Sequence, residues 1–203
     1  MYALFKKIRN VALPIDLQLK LFDSLVSPIL LYSCEIWGYE NTKIIETIQL
    51  HFCKKILNVR SSTPNYMVYG ELGRFPMEVE INLRLILFWH KLITGKNKLS
   101  GIVYSLMLQL QLSNRTELKW LSHIKTVLEN TGFSNLWMHQ YTCTFNRNYL
   151  KYILKRRLQD QFIQKWFQEI SNSSRGETYS IFKTEWSLEP YLLKLNNTTK
   201  YIM

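Results

Sequence analysis

The chain has 203 residues, of which 47% are hydrophobic, 14% aromatic and 20% charged. This composition excludes a disordered chain, and the low glycine and proline content argues against a fold built from many strands and tight turns. The net charge of +11 is divided evenly between the two halves of the sequence and favours a polyanionic partner such as nucleic acid. A basic protein without such a partner is the alternative.

The apolar spacing predicts an all-α, multi-helix fold. The first helix is expected to open at Pro14, to kink at Pro28, which has no N–H to donate, and to end at Gly38. Leucine or isoleucine recurs every four residues along this segment, which predicts a single buried face. That face would consist of Leu17, Leu21, Leu25 and Ile29.

The second helix is expected to begin at Asn41 or Thr42, because either side chain can accept a hydrogen bond from the free N–H groups at a helix start. The next two helices are bounded by prolines and glycines in the order that helix ends prefer. One is predicted between Pro64 and Gly73, and the other between Pro76 and Gly95. The buried face of the second helix would consist of Ile44, Ile48, Phe52 and Ile56.

Further helices are predicted over about residues 101–112, 117–130 and 147–171, with partial helix in 177–195. The helix over 147–171 has the clearest signal, since apolar residues recur every four positions along it. Its predicted buried face consists of Leu150, Leu154, Leu158, Phe162, Trp166 and Ile170.

A polar stretch at residues 94–100 is the best candidate for a domain boundary. It divides the chain into a helical region over residues 1–96 and a second helical region over residues 97–203. No uncharged run reaches the roughly 20 residues that a membrane span needs, so no membrane partner is expected. The sequence does not indicate an oligomeric state.

Residues that could carry catalysis are sparse. Polymerase chemistry needs paired carboxylates that hold two metal ions, but no two aspartates are adjacent, and Asp16 and Asp23 suit a solvated helix face. His139 and Cys143 are four residues apart, but a zinc site needs two more ligands. We therefore expect no catalytic residue, no metal and no cofactor. The three cysteines form no disulfide or metal-binding pattern, and a reducing, intracellular location in nucleus or cytoplasm is expected.

Two segments combine basic residues at positions where a helix could lie along a phosphate backbone. An ordinary solvated basic surface is the alternative for both. The second segment also contains Tyr149 and Tyr152. The candidate nucleic-acid-binding residues are Lys54, Lys55 and Arg60 in the first segment, and Arg147, Lys151, Lys155 and Arg156 in the second.

Several strings in the sequence resemble the region that follows the polymerase core in non-LTR (LINE-type) retrotransposon reverse transcriptases of the RTE and Jockey kind. They are LPIDLQLKLFDSLVSPILLYSCEIWGYE at 13–40, IETIQLHFCKKILNV at 45–59, STPNYMVYGELGRFPMEVEINLRLILFWHKLI at 62–93 and SSRGETYSIFKTEWSLEPYL at 173–192. The strings occur in the family's order and together span nearly the whole chain.

This resemblance implies a thumb over residues 1–96 and a helical linker over residues 97–203. The family's aromatic-x-Asp-Asp turn and endonuclease domain would lie upstream of this segment, and a Cys/His-rich region downstream. In the family the thumb grips the template–primer duplex by its backbone. The implied role is therefore non-catalytic, sequence-tolerant binding of a template–primer duplex or RNA. A small helical protein-interaction domain, domesticated or a pseudogene product, is the alternative.

Overall fold

A computed structural model describes residues 13–40, 42–95, 98–113, 117–140 and 145–194. Within these ranges the chain consists of helices joined by turns and short connections, and no residue of them lies in a strand. The expected all-α class is therefore confirmed. None of the helices in these ranges is both long and apolar enough to cross a membrane.

The helices follow one another with short connections. A π-helical turn, Phe22–Val26, joins the first two of them. In chain order the α-helices are α1 (Ile15–Leu21), α2 (Ser27–Leu30), α3 (Cys34–Trp37), α4 (Thr42–Ile56), α5 (Asn65–Leu72), α6 (Met77–Thr94), α7 (Lys98–Leu112), α8 (Lys119–Asn130), α9 (Ser134–Met138), α10 (Arg147–Ser171), α11 (Ser174–Phe182) and α12 (Pro190–Lys194).

The chain forms two compact units, each assembled from separate parts of the sequence. Unit 1 contains the described residues up to Tyr32, those of 43–76 and those from Ile163 onward, whereas unit 2 contains 33–42 and 77–162. This division differs from the one expected between residues 96 and 97. The reason is that α6, α7 and α8 bury side chains in one shared core, which joins the two sides of that boundary. The division into thumb-like and linker-like regions stays a prediction.

The core of unit 2 forms around α6. The ring N–H of Trp89 donates to the hydroxyl of Tyr104 over 2.8 Å, and the Trp89 and Trp137 rings stack with centroids 6.0 Å apart. The first part of α10 completes this core with Leu150 and Leu154, which are fully buried. The long helix is thus fixed along one face by large apolar contacts, which leaves its opposite face outward.

Unit 1 has a core of its own. The rings of Phe22 and Phe52 are in contact, with centroids 4.4 Å apart. The guanidinium of Arg74 lies 5.1 Å from the Phe22 ring centroid and forms an ion pair with Asp23. The Gln49 amide donates to the carbonyl of Phe75 over 2.9 Å, so this buried polar side chain has a partner.

The prediction for the first helix was wrong in its continuity and in its buried face. Three of the four residues of the predicted face, Leu17, Leu25 and Ile29, are 40%, 54% and 75% exposed. The π turn contains one more residue per hydrogen-bonded loop than an α-helix, which rotates everything beyond it. The helix then breaks before Ser33, whose φ of 52° is left-handed. The residues that are buried instead are Ile15, Gln18, Phe22, Ser27, Leu31 and Cys34.

The second helix lies where it was expected, but its buried face is rotated by about one residue. Phe52 and Ile56 are buried as predicted, whereas Ile44 is exposed and Ile48 is half-buried. Ile45 and Gln49 take the positions nearest the core because Gln49 has a carbonyl partner there. Asn41, one of the two proposed caps, lies outside the described residues.

The remaining helix boundaries agree closely with the sequence. Gly73 ends α5 with a left-handed φ of 56°, and α6 begins directly after Pro76. The long helix over 147–171 is present, and its buried face is as predicted except for the half-buried Phe162. The short helix α9 was not expected, because five residues carry too little periodic signal.

Candidate nucleic-acid interface

The second basic segment lies on the first turns of α10, where the helix start is well defined. Asn146 caps the helix, since its side-chain oxygen accepts hydrogen bonds from the backbone N–H groups of Asn148, at 2.8 Å, and Tyr149, at 3.4 Å. Leu150 and Leu154 are fully buried on the opposite side. These contacts fix the rotation of the helix and therefore the direction in which its basic residues project.

All four candidate residues of this segment, Arg147, Lys151, Lys155 and Arg156, are exposed. None of them forms an ion pair or a hydrogen bond with another described residue. At 100° per residue, Lys155 and Arg156 lie on the outward face, and Lys151 precedes Lys155 by one turn on its flank. Their positive charge is therefore presented to solvent without a neutralising carboxylate.

Exposed aromatic side chains accompany these bases. Phe145, Tyr149 and Tyr152 are 40%, 57% and 63% exposed. The rings of Phe145 and Tyr149 are nearly parallel, at 13°, with centroids 6.3 Å apart. Tyr149, Tyr152 and Arg156 are spaced three and four residues apart, which places them on the same side of the helix. The surface is thus both basic and aromatic.

His90 on α6 holds the segment that leads into this helix. Its Nε2 lies 3.1 Å from the carbonyl oxygen of Phe145, which can only accept, so a protonated Nε2 donates. Burial lowers the pKa of His90, the hydrogen bond to Phe145 opposes this, and the charge of Arg147 lowers it further. The neutral ring therefore anchors Phe145 beside Tyr149.

One basic residue of the same helix has a different role. Arg157 donates from Nε to the carbonyl of Thr131 over 3.2 Å, and Gln161 donates to the carbonyl of Asn130. Both acceptors lie at the carboxyl end of α8, where helix carbonyls lack partners within the helix. Arg157 thus ties α10 to α8, and the sequence alone does not separate it from its solvent-facing neighbours.

The first basic segment belongs to unit 1, whereas the second belongs to unit 2. Lys54 is half-buried and donates to the carbonyl of Ser61 over 2.8 Å. Lys55 and Arg60 are exposed. Lys54 therefore stabilises the loop after α4, and this segment offers less basic surface than its sequence predicts.

The carboxylates considered for catalysis have basic partners. Asp16 lies 3.5 Å from the amine of Lys20, and Asp23 pairs with Arg74. In the part of the chain that the structure describes, no three His, Cys, Asp or Glu side chains form a group that could hold a metal ion. Cys143, the proposed companion of His139, lies outside that part.

No protein-family model matches the chain, and no curated protein or solved structure is significantly similar to it.

Proposed function

We propose that this chain is a non-catalytic C-terminal segment of a retrotransposon RNA-directed DNA polymerase, and that its own role is to bind the backbone of nucleic acid. The origin rests on the ordered strings that resemble the non-LTR family. The binding role rests on one observation, the outward face of α10 with its exposed bases.

A helix face of this kind suits a phosphate backbone. Each phosphate neutralised by lysine or arginine releases condensed counterions, which makes association favourable and strongly dependent on salt. Phosphates are the same for every sequence, so a surface made mainly of Lys151, Lys155 and Arg156 carries little base information. We therefore expect weak, salt-sensitive and sequence-tolerant binding.

The test is a fluorescence anisotropy titration of a labelled duplex at several salt concentrations. The variant changes Lys151, Lys155 and Arg156 together to alanine. Its plot of log affinity against log salt should be flatter than that of the wild type, by up to about 2.7 for three lost phosphate contacts. All three side chains are exposed, so the fold should be unaffected.

A control variant removes the same number of charges from elsewhere on the chain. It changes Lys20, Lys119 and Lys125 to alanine, because each of these exposed lysines lies near a carboxylate, at 3.5, 3.7 and 3.9 Å respectively. The control should change the slope much less. If both triple variants behave alike, general charge and not the α10 face carries the binding, and the proposal is wrong.

The absence of polymerase activity is part of the same proposal. Purified protein should not extend a primer on an RNA or DNA template with Mg²⁺ or Mn²⁺, since the sequence offers no paired aspartates to hold two metal ions. Template-dependent extension above a no-enzyme control would contradict it.

A helical protein-interaction domain is the second candidate function. It is favoured by the large apolar side chains that α1, α2 and the turn after them leave exposed, such as Leu25, Ile29 and Tyr32. Scattered apolar residues are ordinary on protein surfaces, whereas a continuous patch marks an interaction site. A chain that binds no nucleic acid in the anisotropy titration would favour this function over the first.

A further inference from the structure

The aromatic rings on α10 are not explained by backbone binding alone. A duplex offers phosphates to lysine and arginine, but its base faces are stacked on one another and cannot receive a protein ring. Yet Tyr149 and Tyr152 are more than half exposed and lie on the same helix face as Arg156. Exposed rings among unpaired bases are typical of surfaces that bind single strands.

We infer that the α10 face binds single-stranded nucleic acid, with unpaired bases stacked on Tyr149 and Tyr152 and phosphates held by Lys155 and Arg156. This inference rests on the proposed nucleic-acid function and names its substrate class. Every base has a π face, so stacking adds affinity for unpaired strands without adding sequence preference.

The geometry supports stacking in two ways. First, the spacing of three and four residues between Tyr149, Tyr152 and Arg156 places rings and cation in one row along the helix. That row is about 10 Å long at 1.5 Å per residue, which suits a short stretch of one strand.

Second, part of the ring surface is ordered before any ligand binds. Phe145 lies nearly parallel to Tyr149 and is held from behind by the hydrogen bond between its carbonyl and His90. Because these rings have few rotatable bonds and are already positioned, little conformational entropy is lost when a base stacks on them.

The experiment compares two probes, a fluorescein-labelled twelve-residue oligothymidylate and a labelled twelve-base-pair duplex, under identical salt. Wild-type protein should bind the single strand more tightly. Changing Tyr149 and Tyr152 to alanine should weaken single-strand binding by about 5- to 150-fold for each lost ring, and duplex binding by less than about 2-fold. Phenylalanine at both positions should restore single-strand affinity, since it keeps the ring and loses only the hydroxyl.

A control variant, Phe182→Ala, removes another strongly exposed ring that lies on α11 of unit 1. It should leave both affinities unchanged. Equal affinity of wild-type protein for the two probes, or equal losses on both in the tyrosine variant, would overturn the inference while backbone binding still stands. Absence of binding to either probe would overturn the inference and the proposed function together.

Discussion

Replacing Gly176 with alanine should destabilise the protein, although alanine is the better helix former. Gly176 lies in the first turn of α11, with its backbone N–H donating to the carbonyl of Ser173 over 2.8 Å. A Cβ added there would fall on the backbone carbonyl oxygen of Ile170, closer than the 3.0 Å that real Cβ atoms keep. The obstacle is backbone in the last turn of α10, so it cannot rotate away as a side chain could.

Two opposing effects set the magnitude. Alanine in place of glycine within a helix contributes about 0.5–1 kcal/mol of stability. Forcing an extra carbon into a closely packed site costs about 1–3 kcal/mol, and the upper part of that range applies when backbone must move. Steric cost therefore outweighs helix preference at Gly176, with a net loss of about 1–2 kcal/mol.

The matched control is Gly101→Ala in α7, where an added Cβ meets nothing within 4 Å. Only the helix preference acts there, so this variant should be more stable by about 0.5–1 kcal/mol. For a chain of this length the Tm should fall by about 2–8 °C for Gly176→Ala and rise by about 1–4 °C for Gly101→Ala. Thermal denaturation followed by circular dichroism measures both. Shifts of the same sign and size in the two variants would refute the steric reasoning.

Three further predictions concern titration, reactivity and solubility. Burial lowers the pKa values of His90 and His123 below 6.5, so the unfolded chain binds more protons below that pH and the free energy of unfolding should fall as pH drops from 6.5. Urea denaturation should show this loss in the wild type and less of it when both histidines are changed to glutamine; greater stability in acid would contradict it. Burial raises the pKa of the Cys53 thiol to about 12, so mass-spectrometric mapping should find it unmodified by a thiol reagent until the protein unfolds. Changing the exposed Leu25 and Ile29 to lysine should reduce self-association in light scattering without lowering the Tm, and unchanged scattering would show that these side chains do not mediate it.

The sequence by itself determined the helical class and most helix boundaries. Proline and glycine act locally, through a missing N–H or a left-handed φ, so Pro64, Gly73 and Pro76 mark helix ends whatever the rest of the chain does. The long helix α10 was equally predictable, because its four-residue apolar repeat continues over many turns and specifies one buried face. The exposed bases on its other side follow from the same repeat.

Tertiary structure decided which face of the first two helices is buried. Over α1 and α2 a π turn rotates the helix within a few residues, so the regular repeat that includes Leu25 points outward. In α4 the choice depends on the carbonyl of Phe75, which gives the buried Gln49 a partner from 26 residues away. No periodic pattern in the sequence carries that information.

The candidate interface shows the same limit. Its bases and tyrosines are neighbours in sequence and could be read directly, whereas its supports come from distant positions. His90 reaches Phe145 across 55 residues, and Arg157 is withdrawn from the surface by the carbonyl of Thr131, 26 residues before it. Hydrogen bonds of this kind form only when separate helices pack together, so only the folded chain separates the bases that face solvent from the one that joins two helices.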